Sequence, residues 1–400
     1  MTEDFYRIRR LPPYVIAEVN AMRAQARAAG EDVIDLGMGN PDLPPPPHVL
    51  DKLAEVARKP DAHGYSASKG IPGLRRAQAA YYQRRFGVDL DPESEIVVTL
   101  GSKEGLANLA QAITAPGDVV LAPNPSYPIH TFGFIIAGAT IRSVPVTPDE
   151  RYFESLERAV KFTVPKPSVL VMGYPSNPTA ETVDLPFYER VVAFAREHGL
   201  WLLSDLAYSE IYFDGAPTPS ILQVPGAKDV AVEFTSMSKT YSMAGWRVGF
   251  AAGSPRLIAA LTRVKSYLDY GAFTPIQAAA VAALNGPQDI VEENRRLYRR
   301  RRDMLVDSFA RAGWEIPPPR ASMFAWAPLP PALAHLGSLE FSKQLLTHAR
   351  VAVAPGVGYG EDGEGYVRIA LVENEQRLRQ AARNVKRYLA SMGVNAGPAG

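Results

Sequence analysis

The sequence predicts an α/β fold: a large domain with a mainly parallel seven-stranded sheet sandwiched by helices, joined to a smaller α+β domain. Seven short apolar runs between Glu95 and Ala252 alternate with helical patterns. These runs are rich in valine and leucine and apolar on both faces, as strands covered by helices on both sides must be. Beyond residue 290 the alternation gives way to a long helical pattern and scattered strands, which marks a second lobe. The length of 400 residues also exceeds the range over which a single hydrophobic core keeps growing. The expected organisation is an arm with part of the small domain over 1–48, a large domain over 49–290 and a small domain over 291–400.

A polar arm comes first, followed by a helical pattern from Tyr14 to Ala28 that Gly30 is suited to stop. A strand around Val33 to Leu36 then runs into Gly37, Met38, Gly39, Asn40, Pro41 and Asp42. The prolines from Pro44 to Pro47 are expected to forbid further helix there. The large sheet is expected from Glu95–Leu100, Val119–Ala122, Ile141–Val146, Val169–Met172, Leu200–Ser204, Val230–Thr235 and Val248–Ala252, with helices such as Glu104–Ile113 and Leu185–Glu197 between them. The second lobe is expected to hold a strand near Ala325–Ala327, a helix from Ser338 to Ala349, and strands near Val351–Ala354 and Tyr366–Leu371. The small-residue tail from Gly393 to Gly400 is expected to be disordered.

Composition excludes several classes of function. Lysine and arginine total 43 against 42 acidic residues, so no global charge draws the chain to nucleic acid. The one dense basic run, Arg295, Arg296, Arg299, Arg300, Arg301 and Arg302, falls on a helical pattern and reads as a solvated helix face rather than a nucleic-acid patch. With no cysteine, disulfides and thiolate metal sites are absent, and no metal is expected. The N-terminus lacks an apolar signal core, and no apolar stretch approaches the roughly 20 residues of a membrane span. The default expectation is a soluble cytoplasmic protein.

Chemistry is expected where strands end, because open α/β sheets bind ligands beyond the carboxyl ends of their strands. Ser236, Met237, Ser238 and Lys239 close one strand, and Arg247 follows within a short loop. A lysine amine is nucleophilic only when neutral, and burial beside other cations depresses its pKa. The serines and Arg247 offer the donors a phosphate monoester needs. Together they suggest a pyridoxal 5'-phosphate site, although a Ser-x-Ser-Lys string alone is most often a solvated loop.

Asp205 and Tyr208 suit such a cofactor, the carboxylate keeping a pyridine nitrogen protonated and the hydroxyl bonding the ring's 3-oxygen; taken alone, Asp205 reads as a helix cap. Gly101 to Gly105 join a strand to a helix whose free amides can take an anion, or which is simply capped there. Lys103 is either a substrate contact or solvated. Tyr127 either stacks on an aromatic ring or packs a loop, and Asn177 either donates to the ring oxygen or makes a turn. Arg368, on an apolar strand, either binds an α-carboxylate with its fork or sits in an internal salt bridge.

Taken in order, Gly39–Asp42, His63–Tyr65, Gly101–Gly105, Asn124–Pro128, Ser176–Pro178, Asp205–Tyr208, Ser236–Lys239, Gly245–Gly249 and Arg368 resemble the class I and II pyridoxal-phosphate aminotransferases of fold type I. The segments Arg9–Tyr14, His63–Gly73, Pro123–His130 and Ser236–Gly249 resemble bacterial glutamate–pyruvate (alanine) aminotransferases and their relatives, the LL-diaminopimelate aminotransferases. The resemblance implies that Lys239 is the Schiff-base lysine and the acid/base at the substrate Cα. It implies Asp205 on the pyridine nitrogen, Asn177 and Tyr208 on the 3-oxygen, and Tyr127 on the ring face. Ser102, Lys103, Ser236, Ser238 and Arg247 would form the phosphate cup, and Arg368, Asn177 and Gly39 would hold the substrate carboxylate. Tyr65 matches a tyrosine lent to the neighbouring subunit's phosphate, which implies a homodimer with shared active sites. Amino acids and 2-oxo acids are the implied substrates, with alanine first, diaminopimelate second, and a lyase or synthase of the same fold as a further alternative. Ser242 departs from the asparagine expected beside Lys239.

Overall fold

A computed structural model describes residues 5–393; the expectation for the tail concerns residues that lie mostly outside that range. The strands are β1 (Ile34–Asp35), β2 (Ile96–Thr99), β3 (Val119–Asn124), β4 (Thr140–Pro145), β5 (Val169–Gly173), β6 (Trp201–Asp205), β7 (Ala231–Ser236), β8 (Gly249–Gly253), β9 (Phe324–Pro328), β10 (Val351–Ala352), β11 (Ala354–Pro355) and β12 (Tyr366–Ala370). Seven of them form one sheet in the order β2-β8-β7-β6-β5-β3-β4. All seven apolar runs are strands of that sheet. Each face carries its own apolar core, one around Leu121, Leu170, Leu202 and Phe250, the other around Val97, Val120, Val171, Val232 and Ala251. Neighbouring residues of one strand thus pack into opposite cores, which is why both faces read as apolar. The edge strand β4 is the exception, with Thr140 and Ser143 exposed.

The sheet is mainly parallel, but β8 runs antiparallel to both of its neighbours, β2 and β7. Between β7 and β8 the chain has only the short helix Met237–Thr240 and a 3-10 turn at Ala244–Trp246. That connection is too short to cross the sheet and start a parallel strand, so the chain doubles back. The doubling back brings Gly249 beside Ser236 and places Lys239 at the carboxyl end of β7.

Three other expectations are corrected. Pro47 does not forbid helix but begins one, Pro47–Ala57, where a missing amide hydrogen costs nothing at the first turn. The run Val351–Ala354 is divided between two sheets: β10 pairs with β1 in parallel, while β11 joins the antiparallel set β11-β12-β9. The pattern Ser338–Ala349 is helix Gly337–Gln344 followed by a wider π turn at Leu345–Ala349.

The long helix Asp289–Arg311 packs against the helix Glu375–Ser391, and both cover a core around Phe309, Trp314, Phe324, Val367 and Ile369. The arginine run on the long helix is a solvated face only in part. Arg296, Arg299 and Arg300 are exposed, but Arg301 and Arg302 are buried, and their forks are held by Asp42 and Asp214.

Candidate active site

Strands β3, β5, β6 and β7 and the turn after β2 all end at one edge of the sheet, facing β12 and the loop 37–42. Between them lies a cavity of about 870 Å³ lined by Gly39, Ser102, Lys103, Tyr127, Asn177, Asp205, Tyr208, Ser236, Ser238, Lys239, Arg247 and Arg368. Every candidate cofactor- or substrate-contacting residue assigned from the sequence lines it except Tyr65. That side chain is 89% exposed and packs at 4.7 Å on Tyr270, away from the cavity.

At one end the geometry suits an anion. Gly101 at φ +86° turns the chain into the helix Ser102–Ile113, whose first amides have no side-chain cap. Arg247 also adopts a left-handed conformation, which aims its guanidinium at this turn, where it donates to the carbonyls of Ala244 (2.7 Å) and Leu100 (3.5 Å). Only glycine fits here, since a Cβ at Gly101 would lie 2.2 Å from Arg247 Nη2, and one at Gly249 would lie 2.6 Å from the Ser102 amide. The Ser236 hydroxyl caps the short helix by accepting from the Ser238 amide at 3.1 Å. Ser242 sits beside it at φ +57°, a conformation asparagine adopts more readily than serine.

Lys239 lies in that short helix, and its Nζ donates to the Gly39 carbonyl across the cavity. Burial, with help from the Arg368 and Arg247 charges, brings its pKa down from 10.5 to about 8. Asp205, at the end of β6, has two engagements. Its Oδ1 accepts from the Ala207 amide at 3.2 Å within a turn, no helix following β6 for it to cap, and its Oδ2 lies 2.9 Å from His130 Nε2. Sequence reasoning missed His130 as a site residue. Its only signal was its place one helical turn after Tyr127, and its partner is far away along the chain. Gly173 makes room for it, since a Cβ there would approach the imidazole to 3.0 Å.

Tyr127 meets His130 edge-on at 6.0 Å, and Lys103 Nζ lies 5.8 Å from the Tyr127 ring centre. Tyr208 is buried edge-on against Phe324 at 5.6 Å, and burial pushes its hydroxyl well above the usual phenol range. Arg368 donates to Asn177 Oδ1 and to the Gly37 carbonyl, each at 2.8 Å, and its plane lies 3.9 Å from the Phe324 ring centre. Among the described residues no carboxylate pairs with it, so the internal salt bridge is ruled out. Because the Asn177 oxygen accepts from Arg368, its amide NH₂ is left as the donor toward the cavity.

The family model described as "Aminotransferase class I and II" matches residues 31–385. The chain belongs to this family. Among relatives of this aminotransferase, the Escherichia coli (strain K12) glutamate-pyruvate aminotransferase AlaC is 53% identical over 390 residues, covering 98% of this chain and 95% of that protein. The LL-diaminopimelate aminotransferase of Moorella thermoacetica (strain ATCC 39073 / JCM 9320) is 43% identical over 390 residues, 98% of this chain and 99% of its own. A substrate-bound structure of BacF from Bacillus subtilis superposes with a TM-score of 0.90 at 34% identity, covering 97% of this chain and 98% of that one.

The cofactor of this family is pyridoxal phosphate, and the cavity fits it. An anion end that only glycines leave open, an amine whose pKa is lowered to about 8 and a carboxylate held by an imidazole are the three recognition elements such a molecule needs. Among the described residues, His130 Nδ1 and Arg368 Nε are buried without partners. Among the described residues no cluster suits a metal ion, and no helix is long and apolar enough to cross a membrane.

Proposed function

We propose that this aminotransferase exchanges the amino group of L-alanine with 2-oxoglutarate, and that of glutamate with pyruvate, by a ping-pong mechanism. The observation that carries the reading is Arg368. A buried guanidinium that has no carboxylate partner among the described residues and lines the cavity with Lys239 is arranged to take the α-carboxylate shared by every amino and oxo acid. The 53% relative named for glutamate and pyruvate supports the choice of side chain.

When bound, pyridoxal phosphate supplies an aldehyde to accept the amino group and an electron-poor ring that withdraws charge from the substrate Cα. The Ser102 and Lys103 amides, the Ser236 and Ser238 hydroxyls and Arg247 would hold its phosphate. Asp205, oriented by His130, would stabilise a proton on the ring nitrogen, as a carboxylate there favours the charged pyridine. The Asn177 amide and the Tyr208 hydroxyl would donate to the 3-oxygen, and Tyr127 would cover the ring face. The Lys239 amine, with its pKa lowered to about 8, can take up or give up a proton near neutral pH and would serve as the acid and base at the substrate Cα. Lys103 lines the cavity, and among the described residues no carboxylate pairs with it, so it is placed to meet the distal carboxylate of glutamate or 2-oxoglutarate. Tyr65 reaches the phosphate of a second subunit in a cytoplasmic homodimer.

A second reading, LL-diaminopimelate as donor, is favoured by the cavity's size and charged rim of Arg27, Asp35 and Glu373, and by the 43% relative. A panel of donors, scored by the change of the cofactor's absorbance from its aldehyde to its amine form, separates the two. Alanine and glutamate should give kcat/KM at least about ten-fold above LL-diaminopimelate, a difference of about 1.4 kcal/mol in transition-state stabilisation. The opposite order would overturn the alanine reading and install the second.

A further inference from the structure

The buried arginines of the long helix have no part in the site described so far, and one of them fastens it. Arg301 grips Asp42 with both arms of its fork, Nη1 to Oδ1 at 2.7 Å and Nη2 to Oδ2 at 2.6 Å, while Nη1 also donates to the Leu371 carbonyl at 3.1 Å. Leu371 directly follows β12, the strand that carries Arg368. Asp42 ends the loop whose Gly37 carbonyl accepts from Arg368 and whose Gly39 carbonyl accepts from Lys239. The two walls of the carboxylate compartment, the loop and the arginine strand, are therefore joined through one guanidinium that lines neither.

The rest of the loop has little other support. Its beginning is held by Asp35 Oδ1, which accepts from the Gly37 amide at 3.0 Å and the Met38 amide at 3.3 Å. Past Gly39, the Asp42 carboxylate is the next hydrogen-bonded group among the described residues. Gly39 lies directly on the Phe324 ring, where an added Cβ would come within 2.5 Å, and the opposite role of that ring is to back Arg368. A small shift of the loop therefore has to move Arg368 or open a gap above it.

We propose that Asp42 and Arg301 are a positioning pair that sets the affinity for the α-carboxylate of both substrates: Arg301 lies outside the cavity, and Asp42, though among its lining residues, has both carboxylate oxygens engaged by Arg301. The inference rests on the reading of Arg368 as the carboxylate receptor. Because the pair acts on the compartment that all substrates share, its loss weakens amino donor and oxo acceptor alike, whatever their side chains. The cofactor's phosphate end, built from other elements, is unaffected.

The test uses the holoenzyme with Asp42→Asn, Arg301→Lys and, as reference, Arg368→Lys. Asp42→Asn keeps the side chain's shape and one acceptor, and so guards against the misfolding that removal of Arg301 risks. Displacing the loop should raise KM for alanine and for 2-oxoglutarate by a common factor of about ten, with kcat changed less than about three-fold, since misplacements of an ångström cost up to about a hundred-fold. Binding of a simple carboxylate inhibitor, read from the cofactor's absorbance, should weaken by the same factor, while cofactor affinity stays near that of the parent; a lower melting temperature is expected besides, because Arg301 is buried. Unchanged KM and inhibitor binding would overturn the proposal. So would a loss confined to melting temperature, or KM rises that differ several-fold between donors. If Arg368→Lys left inhibitor binding intact, the reading of Arg368 would fail instead.

Discussion

The chemistry at Lys239 follows from where the chain puts one amine. Its Nζ is buried between two guanidinium groups, so the fold prefers it neutral, with a pKa near 8 instead of 10.5. Between those values the unfolded chain binds a proton that the folded chain does not. Stability from this group is therefore present above pH 10.5 and is lost as pH falls through 8, about 3 kcal/mol at most. In cofactor-free protein, competitive labelling with a small amine reagent should show Lys239 reacting with a midpoint near pH 8, well below the surface lysines. A midpoint with the surface lysines near 10.5 would remove the basis for its role as a base at neutral pH. Residues of this kind were legible in the sequence because a cation, an acid or a tyrosine just past an apolar run has few reasons to be there. His130 was not legible. An imidazole among Pro128, Ile129 and Phe132 reads as packing, and only the fold brings it 2.9 Å from Asp205.

Among the secondary-structure elements, β7 carries the least expected residue. Glu233 is fully buried in the middle of the sheet, where its carboxylate accepts from Tyr82 (3.0 Å), Ser204 (3.4 Å), Ser220 (2.5 Å) and the Ile221 amide (3.1 Å). Those donors favour the charged form, yet burial outweighs them and raises its pKa from 4.5 to about 7. The folded protein then holds a proton between pH 4.5 and 7 that the unfolded chain releases. This group's contribution is complete below 4.5 and lost as pH rises through 7, a change of about 3 kcal/mol at most. Relative to the parent, Glu233→Gln should therefore gain stability steadily from pH 5 to pH 7, as read from urea midpoints. Parallel midpoints for parent and variant would mean that Glu233 does not titrate in that window. The strands themselves were legible from their two-sided apolar pattern. The reversed direction of β8 was not, because strand composition is blind to direction and only the short link from Ser236 to Gly249 decides it. The buried arginines escaped for a related reason: Arg301 and Arg302 differ from Arg299 and Arg300 only in which way the helix turns them, and the partners of the buried two, Asp42 and Asp214, lie in loops distant in sequence.

At the scale of the whole molecule, a surface around Tyr65 is left unaccounted for by a single chain. Tyr65, Tyr267, Leu268, Tyr270 and Phe273 are all exposed, with Tyr65 packed at a tilt on Tyr270 and His63 likewise on Phe273 at 5.8 Å. Single exposed apolar residues are ordinary, but a contiguous group containing three tyrosines and a phenylalanine is the composition of an interface. The same patch carries the one predicted site residue that the chain keeps away from its own cavity. If Tyr65 completes the phosphate cup of a second copy across a two-fold axis, an active site needs Lys239 from one subunit and Tyr65 from the other. Lys239→Ala and Tyr65→Ala homodimers should then both be impaired, the first wholly inactive and the second at limiting cofactor. Unfolding and refolding them together in equal amounts makes about half of the dimers mixed, each with one site holding both residues, so roughly a quarter of the parent activity should return at limiting cofactor. A site built within one chain gives a different result: mixing would restore nothing beyond the sum of the two separate preparations.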